Sequence, residues 1–125
     1  MARGRSNFKM GTVELLVLFL LDKQDLYGYQ ITALIEKLSE GNVIVTESTL
    51  YPTLYKLLEK KSVSDYEVAI GKRRMRVYYH LENIGRQRLS DLIEDYNEIT
   101  IGISKILNSD ISLEESDDIN TKERN

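Results

Sequence analysis

Apolar residues recur along this chain with two periods, and the switches between them divide it into elements. Val13, Leu16, Val17 and Leu20 step along one helical stripe, while Leu15, Phe19 and Leu21 occupy other faces. A helix apolar nearly all round must be covered on more than one side. Thr12 is placed to cap it, and residues 1–10, with Arg3, Arg5 and Lys9 among Gly4, Ser6 and Asn7, read as a flexible basic arm. A second helix is predicted from about Leu26 to Leu38, with Ile31, Leu34, Ile35 and Leu38 on one stripe and Gly41-Asn42 ending it. Val43-Ile44-Val45 reads as a short strand. Thr46 or Ser48 then caps a third helix running to about Lys61, in which Leu50, Leu54, Leu57 and Leu58 face a core. Two β-like runs follow, Ser62 to Ala69 and Met75 to Leu81, joined by a turn at Gly71-Lys72-Arg73-Arg74. Leu89, Leu92, Ile93, Tyr96, Ile99, Ile103, Ile106 and Leu107 step by three and four along one long last helix. Residues 109–125 read as a disordered acidic tail.

Charge changes the picture once it is divided. The whole chain of 125 residues carries a formal −3, yet residues 1–88 hold 14 Lys and Arg against 10 Asp and Glu, a net of +4, and residues 89–125 hold 3 against 10, a net of −7. Such asymmetry points to a nucleic-acid or surface partner for the basic part. Composition excludes several other classes. Without cysteine there is no disulfide framework, thiolate metal site or cysteine nucleophile, and one histidine cannot build a multi-histidine metal cage. No metal or cofactor is therefore expected. The longest apolar run, Val13 to Leu21 broken by Glu14, is far short of the roughly 20 residues that a membrane span needs. The reading is of a cytoplasmic, mainly helical protein.

Three helices, a hairpin with a basic tip and a further helix is the element order of a winged helix-turn-helix, an α+β fold. The third helix opposes its core stripe with Ser48, Thr49, Pro52, Tyr55 and Lys56. Hydroxyls and lysine can bond phosphates or base edges there, and Pro52 and Tyr55 can touch a thymine methyl in the major groove. Lys72, Arg73, Arg74 and Arg76 on the hairpin suit the sugar–phosphate backbone or minor groove, arginine through its forked donors. Tyr27 and Tyr51, at the edges of their stripes, can pack a ring on the core and offer a hydroxyl to a phosphate. An enzyme would have to rest on Ser48 and the lone His80, which lie on different elements with no orienting acid in view.

The run Leu26-Tyr27-Gly28-Tyr29-Gln30-Ile31, the run Ser48-Thr49-Leu50-Tyr51-Pro52-Thr53-Leu54, and the hairpin end Tyr78-Tyr79-His80-Leu81 with Gly85 together resemble the PadR family of bacterial transcriptional regulators. The resemblance covers residues from about 11 to 107. It is accompanied by three departures: Lys61 stands where the family commonly has a glycine closing the recognition helix, Glu82 replaces a threonine before the last helix, and the wing turn has one glycine rather than a pair. The resemblance implies residues 11–81 as a DNA-binding domain and residues 82–108 as a dimerisation helix of the short subfamily. Burying the last stripe between two chains then makes Leu89, Leu92, Ile99, Ile103 and Ile106 an interface. A two-fold dimer places two recognition helices about 34 Å apart on an inverted repeat. Similarity to drug-sensing members further implies a small aromatic effector among Leu15, Phe19, Ile93, Tyr96 and Thr100. The expected function is a homodimeric, ligand-responsive repressor. The other reading is a winged-helix module that docks an acidic protein partner.

Overall fold

The computed structural model describes residues 2–112, with side chains from residue 11 onward. Helix α1 spans Ala2–Lys23, strand β1 Leu26–Tyr27, helix α2 Gly28–Leu38, helix α3 Glu47–Glu59, strand β2 Val63–Ala69, strand β3 Met75–Leu81 and helix α4 Asn83–Leu107. Four helices and a three-stranded antiparallel sheet make an α+β winged helix-turn-helix. The chain divides into two compact units between Glu94 and Asp95, the first holding the sheet, α1 to α3 and the start of α4.

The core of the first unit is built from the stripes that the spacing picks out. Val17, Leu18, Ile31, Leu50, Leu54 and Leu57 are all but inaccessible, joined by Leu26 and Leu81 from the sheet. Each such side chain contributes about 1.5–3 kcal/mol by leaving water. α1 carries buried residues at Val13, Val17, Leu18, Leu20 and Leu21, with Leu15 and Leu16 packed beside them. It lies against α2, α3 and β3, the multi-sided cover that its all-round apolar surface requires. Glu14 is buried among them and receives two bonds from the Arg88 guanidinium, Nε to Oε2 at 3.0 Å and the second to Oε1 at 3.2 Å.

The strand order is β1-β3-β2. β3 pairs along its whole length with β2, from Val63 opposite Leu81 to Ala69 opposite Met75, and its far edge takes Leu26 opposite Tyr79 and Tyr27 opposite Tyr78. Alternation sends Leu26, Val63, Tyr79 and Leu81 inward and Tyr27, Tyr66, Tyr78 and His80 to the outer face.

The structure corrects several boundaries. α1 reaches back to Ala2, so residues 2–10 are helical rather than an irregular arm and Thr12 lies inside the helix instead of capping it. Extending a packed helix costs little compared with starting one. Leu26 and Tyr27 belong to the sheet instead of opening α2, because β3 supplies a pairing edge; the Tyr27 N–H donates to Gln30 Oε1 at 3.1 Å across the start of α2. Val43-Ile44-Val45 is not a strand. Its first N–H is taken by Ser39 Oγ at 3.0 Å, and Val45 turns inward. Residues 109–112 are irregular, and the rest of the acidic tail lies outside the described residues.

Candidate nucleic-acid interface

α3 is fixed by its inner stripe and by its two ends. At its start the Thr46 carbonyl accepts from Thr49 and Leu50, while Thr46 Oγ1 reaches Ser48 Oγ at 2.9 Å rather than capping a backbone N–H. At its end Lys61 takes φ 62°. The Ser62 N–H returns to the Leu57 carbonyl at 2.9 Å and that of Lys61 to Leu58 at 3.0 Å, the paired closure usually built on glycine. With the helix so held, Ser48, Thr49, Pro52, Tyr55 and Lys56 all stand in solvent on its outer face, Tyr55 at 62% exposure. Pro52 brings no N–H, which leaves the Ser48 carbonyl without its helical donor.

The wing tip turns at Gly71, whose φ of 83° favours glycine, and is closed by the Ile70 N–H bonding the Arg74 carbonyl at 2.9 Å. Lys72, Arg73 and Arg74 are exposed along it. Arg76 is different. It is half-buried, its guanidinium 4.0 Å over the Tyr27 ring, and Tyr27 in turn meets the Tyr78 ring edge-on at 5.4 Å. Arg76 and Tyr27 thus brace the wing against the start of α2 while keeping a cation at the surface. Tyr51 is half-buried against α2. A methyl group at Gly28 would collide with its hydroxyl, so the glycine after Tyr27 is what admits the Tyr51 ring. Tyr51 and Tyr55 lie 6.2 Å apart. Burial, then the charges of Glu47 and Tyr55, push the Tyr51 phenol upward, so its hydroxyl carries its proton at neutral pH.

Sequence reasoning missed two features. Tyr79 counts as one more inward strand residue, yet it lines a groove between α3 and β3; burial first, then the charges of Tyr51 and Asp65, push its phenol up to about 12. Asp25 is the second. It accepts from Tyr66 Oη at 2.7 Å and meets His80 Nδ1 at 2.7 Å, so the histidine does have an acid beside it. The pair lies on the outer sheet face, however, and Ser48 Oγ is engaged with Thr46, which leaves His80 no nucleophile in a hydrogen-bonded array. Among the described residues no cluster of His, Asp and Glu could hold a metal ion, and no helix is long and apolar enough to cross a membrane.

The remaining expected residues divide. Leu89 and Leu92 are buried at 7% and 8% within the chain's own core, so too little of either is left to serve as an interface. Their stripe is used twice: its first turns pack inside the first unit, and Ile99, Ile103 and Ile106 beyond Glu94 are exposed. Of the expected effector residues, Leu15 is half-buried and Phe19 and Ile93 exposed in the first unit, and Tyr96 and Thr100 are exposed in the second.

A sheet edge, hairpin and helix in this arrangement are matched by known proteins. The family model of the PadR-like transcriptional regulators matches residues 17–91. The chain belongs to that family. A PadR-like transcription factor from Bacteroides fragilis is 30% identical, with 83% of this chain and 98% of that one superposed at a TM-score of 0.67. A PadR family regulator from Clostridium difficile R20291 is 25% identical over 77% of this chain and 98% of that one, with a TM-score of 0.66. The transcriptional regulator YqjI of Escherichia coli (strain K12) is 32% identical over 73 residues, which are 58% of this chain and 35% of that protein; this chain spans about a third of it. As a PadR-like protein the chain is a DNA-binding transcription regulator and not an enzyme.

Proposed function

We propose that this PadR-like protein is a cytoplasmic homodimeric repressor that grips an inverted-repeat operator through α3 and the wing and releases it when a small aromatic effector binds. The observation that carries the reading is the outer face of α3, free of core duties, beside a wing tip with three consecutive exposed cations. Ser48, Thr49, Pro52 and Tyr55 read bases, and Tyr27, Tyr51, Lys56, Lys72, Arg73, Arg74 and Arg76 hold the backbone. Ile99, Ile103 and Ile106 pair two copies, a role supported by their exposure of 43%, 46% and 71%. Leu15, Phe19 and Ile93 of the first unit and Tyr96 and Thr100 of the second are each offered as effector contacts, and a ligand that prefers the non-binding arrangement of the dimer shifts the population away from DNA.

The test is binding to duplexes selected by the protein from a random pool, followed by anisotropy across a salt series. Replacing both Arg73 and Arg74 by Ala weakens binding to every duplex and reduces the slope of log affinity against log salt by about 2. An unchanged slope removes the wing from the interface, and equal affinity for all sequences favours a protein-docking module.

A further inference from the structure

Between α3 and β3 runs an open groove of about 700 Å³. Five tyrosines line it, Tyr27, Tyr29, Tyr51, Tyr55 and Tyr79, together with Arg74 and Arg76, and no carboxylate is among its walls. Tyr79 is the unusual member. The residue is 4% exposed, yet its hydroxyl has no hydrogen-bond partner among the described residues, and no buried side-chain oxygen among them is left both sealed and unpaired. The Tyr79 hydroxyl is therefore reached by solvent, and the groove is where that residue meets the surface. A buried phenol that keeps its hydroxyl unpartnered and accessible is poised to donate to something that enters.

If α3 occupies a major groove and the wing the adjacent minor groove, one sugar–phosphate strand must cross between them, through this groove. We propose that the groove seats one phosphodiester of that strand on neutral tyrosine hydroxyls, with Tyr79 as the deepest donor and Arg74 and Arg76 at the rim. The inference rests on the DNA-binding reading above and adds a positioning site to it. Phenols held protonated act as donors, and because they carry no charge they release no counterions. Their share of affinity is independent of salt, unlike that of the wing-tip arginines.

The experiment compares wild-type protein with Tyr79→Phe, which keeps the buried ring and removes one oxygen, on a pool-selected duplex between about 50 and 200 mM salt. The expected result is an affinity about tenfold lower, the loss of one hydrogen bond to a charged acceptor, with the salt slope unchanged. A set of duplexes carrying single methylphosphonate linkages should contain one on which wild type and Tyr79→Phe bind alike. Wild-type affinity retained by Tyr79→Phe overturns the proposal and leaves the DNA reading standing, whereas a wild type that binds no duplex fells both. Should Tyr79→Phe fail to fold, Tyr51→Phe on the same methylphosphonate set decides: a loss at constant slope that vanishes on one linkage supports the groove, and wild-type affinity overturns it.

Discussion

Lys61 holds a backbone conformation, φ 62°, that costs a side-chain-bearing residue about 1–2 kcal/mol. Glu40 does the same at φ 54° after α2. Both occupy the position just beyond a helix end where hydrogen bonds turn back into the last turn. Lys61→Gly therefore gains about 1 kcal/mol after the greater chain entropy of glycine is subtracted, visible as a rise of several degrees in thermal midpoint. This site was legible in advance, because a glycine is the residue the family commonly places there. The Asp25 cluster was not, since its partners lie 41 and 55 positions away and only the sheet brings them together. Burial would raise the Asp25 carboxyl, but the hydrogen bonds from Tyr66 and His80 and the charge of His80 outweigh it and hold it below its ordinary value. The folded state thus binds that proton less readily than the unfolded chain. The stability this confers is present above about pH 4 and lost as pH falls through the depressed value. Asp25→Asn should flatten the acid limb of a melting-temperature profile by lowering the midpoint in the neutral region, with the two proteins converging once the pH has fallen through the depressed value.

Between α1 and α4 the decisive contact is an ion pair with one end out of water. Glu14 is 9% exposed at its side chain and Arg88 44%, while the neighbouring Asp22–Arg86 pair, at 3.6 Å, is open at both ends. Removing the arginine from the first pair leaves a buried carboxylate without its two closest donors. Arg88→Ala is expected to destabilise by about 2 kcal/mol, and Arg86→Ala by no more than about 0.5 kcal/mol, as measured by urea unfolding. Helix periodicity revealed that α1 and α4 have faces to bury but not which turns bury them where: Leu89, Leu92, Ile99 and Ile103 obey one spacing, and only packing divides core from surface. The same limit explains Leu26-Tyr27 and Val43-Val45. Both are short apolar runs; the first meets the free edge of β3 and becomes a strand, and the second meets none.

At the scale of the whole molecule the exposed isoleucines beyond Glu94 set the expected assembly. Ile103→Glu places a charge in the middle of the proposed seam, and sedimentation should then report single chains that have lost the cooperative grip on two half-sites. The order of the four helices and the hairpin, the cationic tip and the outward face of α3 were all readable from spacing and charge, because each is a local pattern. The tyrosine groove was not, since it exists only where α3, β1 and β3 converge. Gly85, in the first turn of α4, is pressed against the Ser62 carbonyl and the Leu81 side chain, with no room for even a methyl group. The foot of the wing and the root of the last helix consequently meet without slack: any side chain at position 85 would be a wedge driven between them.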